Sequence, residues 1–314
     1  MERTAMKSVK EKAGAVIYKK DAAGAEPLVL LVTARKMPGS WVFPVGSVEK
    51  GESLPEAAER ECLEESGYQV KIGEQLAAVT SAETDRTVRY TFFLAEAVGE
   101  AADWEQDRER KWVPLSRAAA MLPEIFQDVG RAAERQRLKE LLLAKSCRTG
   151  TFTLSSGKTS DFYIDGKQTT LDAEGAWLCG RQLFDLIRQV PQPIGGVGGM
   201  TLGADPLVTA AAIASHLAGS PIPAFIVRKE AKGHGTGNYM EGRNNLKPGC
   251  AVALIEDVVT TGGTLLKVIE RVENEGFKVA MAATVVDREE GGAAALAKAG
   301  CPLCAVFTRT QLIG

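Results

Sequence analysis

The chain has 314 residues, enough for two domains at roughly 150 residues each, with 45% hydrophobic and 25% charged residues, a composition of soluble globular proteins. A net charge of −2 gives no basic surplus for nucleic acid or an anionic membrane surface. Residues 1–12 lack the apolar core of a secretion signal and no 18-residue apolar run occurs, so a cytoplasmic location is expected. Six dispersed cysteines imply no disulfide framework, and the Cys301-Pro-Leu-Cys304 pair has no second pair or nearby histidine to complete a zinc site.

Taken in chain order, Ala13–Tyr18 and Leu28–Ala34 read as paired strands around a polar turn. Ser53 and Glu56 have capping-box spacing, Pro55 fits a first turn and Gly67 a stop, which predicts a helix over 54–66. On it Glu61, Glu64 and Glu65 stand at i, i+3 and i+4 and share one face. Carboxylates so placed repel one another unless a cation joins them, and their oxygens suit magnesium. Arg60 is placed to pair with an acid and fix its rotamer. Strands follow at 87–95 and 111–115 with an acidic loop over 96–110 between them, then a helix from Ser116, and Pro123 marks a seam.

Gly46, Glu52 and the run Arg60-Glu61-Cys62-x-Glu64-Glu65-x-Gly67-Tyr68 resemble the Nudix box at every charged and glycine position. Cys62 and Tyr68 stand where that family has aliphatic residues, both packing changes. The resemblance covers about residues 8–120 and implies an α/β/α sandwich that hydrolyses a nucleoside diphosphate linked to another group X. It implies magnesium held by Glu61, Glu64, Glu65 and the Gly46 carbonyl. Either Glu64 or a residue outside the box activates the attacking water.

Arg131–Lys145 reads as one amphipathic helix at the start of the second half. Thr151–Asp165 is a hydroxyl- and glycine-rich turn with the aromatic pair Phe162-Tyr163, suited to a flat polar ring. Gly195–Pro206 is a glycine-rich segment that lacks the last glycine and the distal acid of a dinucleotide fingerprint. After strand Ala224–Val227, the loop Arg228-Lys229-Glu230-Ala231-Lys232-Gly233-His234-Gly235 concentrates cations among glycines, as a lid over a diphosphate would.

The most informative stretch is AVALIEDVVTTGGT, residues 251–264. An apolar run ends on Glu256 and Asp257, a turn of threonines and glycines follows, and then an amphipathic helix from about Leu265. Backbone N–H groups of such a turn and the helix N-terminus suit a phosphate monoester, whereas the acids suit ribose hydroxyls, directly or through magnesium.

This run resembles the phosphoribosyl diphosphate motif of type I phosphoribosyltransferases, and residues 131–314 resemble orotate phosphoribosyltransferase specifically. The resemblance implies a mainly parallel sheet flanked by helices, with the two domains spanning 1–122 and 123–314. It implies ribose contacts from Glu256 and Asp257, and a 5′-phosphate cradle from Thr260, Thr261, Gly262, Gly263 and Thr264. Orotate contacts fall near Tyr163 and Ile164, with Lys158 as an alternative cation and Arg288 the partner of the orotate carboxylate. Gly198, Gly199, Met200 and Thr201 form a diphosphate-binding loop. In a homodimer Lys229, Lys232 and His234 act in the partner's site, while Arg228 contacts diphosphate from the loop's base. Two rivals remain: transfer to another nucleobase, and a non-catalytic regulator reusing both folds. The regulator needs a DNA-binding module, and residues 116–150 offer one long helix and no helix-turn-helix.

Overall fold

A computed structural model describes residues 8–19, 26–83, 86–153, 159–230 and 239–314, with 151–153 and 159–161 as backbone. The chain forms two compact units, Met1–Gln136 and Arg137–Gly314.

The first unit is built on one mixed sheet. Strands β1 (Ser8–Lys19), β2 (Leu28–Thr33), β3 (Trp41–Val42) and β4 (Val45–Ser47) precede helix α1 (Leu54–Ser66). Strands β5 (Tyr68–Ala82), β6 (Arg86–Glu100) and β7 (Arg110–Pro114) follow, then α2 (Leu115–Met121) and α3 (Glu124–Leu141), whose C-terminal turn belongs to the second unit. The order is β3-β2-β1-β6-β5, with β4 also on β1 and β7 on β2. Alternation along β1 and β2 explains why both faces are covered. Ala15, Ile17 and Leu30 meet Cys62 of α1 on one side. Val16, Val29 and Leu31 meet Leu115, Ala118, Phe126 and Val129 of α2 and α3 on the other. The result is the expected α/β/α sandwich.

Two expectations need correction, and one strand was not foreseen. Residues 96–100 continue β6 instead of opening a loop, because β5 pairs with them as far as Tyr68↔Glu100. β5 itself gave no sequence signal: its face pattern is broken by three register shifts, one between Gln69 and Val70 and two around Gln75. The long helix begins at Glu124, directly after Pro123, and ends in a π turn over Leu142–Ser146.

In the second unit a hairpin of β8 (Cys147–Thr153) and β9 (Thr159–Ile164) is followed by α4 (Lys167–Thr170) and α5 (Ala173–Ile187). The main sheet contains β10 (Gly196–Met200), β11 (Ala224–Val227), β12 (Met240–Glu241), β13 (Ala251–Val259), β14 (Lys278–Asp287) and β15 (Leu303–Thr308). Helices α6 (Asp205–Leu217), α7 (Gly263–Asn274) and α8 (Gly292–Lys298) connect them, and α9 (Arg309–Ile313) closes the chain. The order is β12-β11-β10-β13-β14-β15, parallel except at β12. Ala253 and Ile255 of β13 pack under α5 and α6, and Val252 and Leu254 under α7 and α8. A strand buried on both faces reads as an unbroken apolar run, as 251–255 does. The chain leaves β10 outward to β11 and later returns inward to β13. Their shared carboxyl end is thus a topological switch point, where open α/β sheets bind ligands.

Candidate active sites

In the first unit the capping box forms as the spacing requires: Ser53 accepts from Glu56 N–H, and Glu56 accepts from Ser53 N–H at 2.8 Å. Gly67, at φ 71°, ends the helix. The three box acids then differ sharply in environment. Glu61 and Glu65 are buried, while Glu64 is half-exposed. Burial raises the Glu61 carboxyl above its ordinary range and pushes Glu65 up to about 7, against the opposing pull of Arg108. Gly46 is a glycine because the Glu61 carboxylate fills its side-chain position: a Cβ there would sit 1.9 Å from Glu61 Oε1.

Arg60 is the hub of the box. It donates to both oxygens of Glu52 (2.9 and 3.0 Å), to Glu61 (2.9 Å), to Glu64 (3.0 Å) and to the Ser47 carbonyl (3.0 Å). Glu65 accepts from the Val45 N–H at 2.9 Å and from Arg108. Among the described residues no group of three or more His, Cys, Asp or Glu side chains is arranged to hold a metal ion. The carboxylates are oriented by guanidinium groups instead. Their all-oxygen character and the desolvation of Glu61 and Glu65 nonetheless fit a hard divalent cation. A cleft of about 250 Å³ beside Glu65 and Gly46 is lined by Lys12, Arg35, Lys36 and Arg108 together with Tyr90 and Phe126. The sequence marked none of these cations. Tyr68, one of the two unusual box residues, is accommodated by Trp112, whose Nε1–H donates to its hydroxyl at 3.1 Å.

In the second unit β13 runs through both acids to Val259, so Glu256 and Asp257 lie within the strand near its end. Glu256 is buried with Oε2 lacking a hydrogen-bond partner, and burial beside Asp257 raises its carboxyl well above the ordinary range. Two glycines from other segments close on the pair. A Cβ on Gly203 would come within 2.9 Å of Asp257 Oδ1, and one on Gly166 within 3.1 Å of Asp257 Oδ2. Lys167, next to Gly166, feels the Asp257 charge and pairs with Asp165 at 3.2 Å. Sequence reasoning missed Gly166, Lys167 and Gly203, although Lys167 lies just beyond the aromatic run.

Thr260–Gly263 turns through Gly262 at φ 80°, and α7 starts at Gly263, two residues earlier than its apolar face suggested. The turn and the Glu256 end of β13 line a pocket of about 320 Å³, reaching Thr264 and Leu265. Arg288 sits at the end of β14, its N–H on the Val259 carbonyl at 2.9 Å, its buried side chain paired with Glu290 at 2.6 Å.

Other expected residues fall differently. Gly198, Gly199 and Met200 are buried in β10 and not in a loop, since the strand needs their backbone for pairing with β11. Gly199 has no room for a side chain, because a Cβ would meet the Ile255 carbonyl at 2.2 Å. Only Thr201 reaches the turn, where its hydroxyl donates to Asp205 at 2.8 Å. Of the aromatic pair, Phe162 is fully buried and Tyr163 exposed, because successive strand residues face opposite ways. Ile164 packs on the core. Arg228 is committed to Glu241 at 2.7 Å, and Arg271 donates to the Arg228 and Lys229 carbonyls at 2.5 and 3.1 Å. Lys158, Lys232 and His234 lie outside the described residues.

The family comparisons agree with this division. Residues 10–134 match the NUDIX domain model, and residues 205–299 match the phosphoribosyl transferase domain model. The molecule is therefore an enzyme that joins a NUDIX domain to a phosphoribosyltransferase. Orotate phosphoribosyltransferase of Thermosynechococcus vestitus is 46% identical over 185 residues, 59% of this chain and 96% of that protein. The Sorangium cellulosum enzyme of the same name is 44% identical over 58% of this chain and 94% of its own length. The crystal structure of Mycobacterium tuberculosis orotate phosphoribosyltransferase with Fe(III) dicitrate is 37% identical and superposes with a TM-score of 0.50. It covers 58% of this chain and 99% of its own. The chain belongs to the orotate phosphoribosyltransferase family, with a NUDIX domain at its N-terminal side.

Proposed function

We propose that the second unit transfers the phosphoribosyl group of 5-phosphoribosyl 1-diphosphate to orotate, giving orotidine 5′-monophosphate and diphosphate. The observation that carries this reading is the acid pair of buried Glu256 and partly buried Asp257 beside the Thr260–Thr264 turn, at a switch point of the sheet. Glu256 and Asp257 take the ribose hydroxyls, and Thr260, Thr261, Gly262, Gly263 and Thr264 take the 5′-phosphate. Tyr163 flanks the base, with Lys158 near it, while Ile164 anchors the strand in the core. Arg288 pairs with the orotate carboxylate, a contact that a neutral purine cannot offer. As the bond to diphosphate loosens, negative charge grows on the leaving group. Lys232, His234, Lys229 and Arg228 stabilise it, Arg228 by exchanging Glu241 for the ligand and the loop residues by reaching into the partner's site in a homodimer. Orotate is already an anion, so its ring nitrogen attacks without a general base.

The first unit hydrolyses a nucleoside diphosphate derivative. Magnesium suits the oxygens of Gly46, Glu61, Glu64 and Glu65 and, when bound, supplies Lewis-acid stabilisation of the diphosphate. Glu64, the half-exposed acid of the three, orients the attacking water. Both reactions belong in the cytoplasm, where these soluble substrates are found.

Side-by-side assay of orotate, uracil, xanthine and adenine as acceptors tests the transferase reading. Orotate is expected to be preferred, and Arg288→Ala to raise its KM most. A preference for adenine overturns the assignment.

A further inference from the structure

Arg108 comes from the segment between β6 and β7, outside every box position, yet it is buried against the box. Its Nε donates to Glu105 Oε2 at 2.6 Å, its Nη1 to the Thr33 carbonyl at 2.7 Å, and its Nη2 to Glu65 Oε1. The other Glu65 oxygen accepts the Val45 N–H at 2.9 Å. Both oxygens of this acid already accept from the chain, so a cation that takes their remaining lone pairs comes directly beside the Arg108 guanidinium. Val45 is backbone fixed by the pairing Gly14↔Val45, whereas Arg108 is a side chain that can turn. The direction open to it is the basic cleft, which it already lines with Lys12 and Lys36.

We infer that Arg108 is a shared arm: it neutralises Glu65 until a divalent cation takes that carboxylate, and then passes to a phosphoryl oxygen of the substrate. This rests on the reading of the box as a magnesium site. A guanidinium left beside the cation is repelled by it, and an anion in the cleft relieves that repulsion. Cation and phosphoanhydride therefore bind with positive coupling, which linkage makes reciprocal. Lys12, half-buried with its ammonium 5.5 Å from the Tyr90 ring centre, holds the far side of the same anion. Arg35 does not take part, because Glu105 and Asp107 already hold it at 2.8 and 2.7 Å.

The test is manganese binding by electron paramagnetic resonance, on the full chain carrying Glu256→Ala and Asp257→Ala so that only the first unit is read. Titrations are run with and without methylene diphosphonate, and corrected for the complex it forms with manganese in solution. The diphosphonate should tighten manganese binding about tenfold, within the usual range of coupling between sites. Arg108→Gln should bind manganese alone several-fold more tightly than the parent, and the diphosphonate should no longer help. Weaker manganese binding in Arg108→Gln, or unchanged coupling, overturns the inference while leaving the magnesium site standing. Manganese binding indifferent to Glu61→Gln removes the magnesium reading itself. If Arg108→Gln does not fold, the parent still decides: no coupling to the diphosphonate refutes the shared arm.

Discussion

Replacing Glu256 by glutamine should stabilise the protein while it weakens transfer, because the acid is placed for a ligand and not for the fold. Its side chain is buried, one oxygen has no partner, and Asp257 lies beside it. The sign follows from linkage. The unfolded carboxyl ionises near its ordinary value of 4.5 and the folded one at higher pH, so folding is opposed once pH rises above about 4.5, increasingly until the folded group ionises. Glutamine cannot ionise and so removes that penalty, on the order of 2 kcal/mol at about 1.4 kcal/mol per unit of pKa difference. In a unit of this size the gain amounts to about 4–8 °C in Tm. Calorimetry at pH 7.5 and pH 4.5, following the transition that phosphoribosyl diphosphate shifts in the parent, reads it directly. The gain should be present at pH 7.5 and nearly gone at pH 4.5. Loss of the ribose contact should lower kcat/KM by about 10–100-fold, as expected for a charged hydrogen bond. A Tm that falls, or a gain equal at both pH values, refutes the reasoning.

Gly46→Ala places a methyl group where the Glu61 carboxylate lies, so hydrolysis should fall at least about 100-fold with transfer unchanged, measured in parallel on one preparation. Gly262→Ala forces a side chain into the left-handed region at φ 80° and should cost about 1 kcal/mol of stability, with a higher KM for phosphoribosyl diphosphate and little change for hydrolysis. Mixing Lys232→Ala subunits with Glu256→Ala/Asp257→Ala subunits should restore about one quarter of wild-type transfer, since half the dimers then hold one complete site. Heterodimers that stay inactive argue against a site shared between subunits.

Much of both sites was legible because their residues are local in sequence. Ser53, Glu56, Glu61, Glu64, Glu65 and Gly67 sit on one helix, and Glu256 to Thr264 form one strand-turn-helix passage. What the sequence concealed was the partner brought from a distance. Arg108 reaches Glu65 across 43 residues, and Gly166 and Gly203 converge on Asp257 from separate connections. Strand direction was hidden as well. Gly198 and Gly199 look like a phosphate loop because they are glycines, yet their lack of side chains serves close packing on Phe225 and Ile255. Phe162 and Tyr163 read as a pair, but the pleat sends one into the core.

The central claim is that two independent clusters of acids serve two separate reactions of phosphoanhydrides. Measuring orotidine 5′-monophosphate formation and magnesium-dependent diphosphate hydrolysis on Glu64→Gln and on Glu256→Ala/Asp257→Ala tests it most directly. The account predicts that the first variant loses hydrolysis and keeps transfer, and that the second does the reverse. Both activities falling together in either folded variant would contradict it.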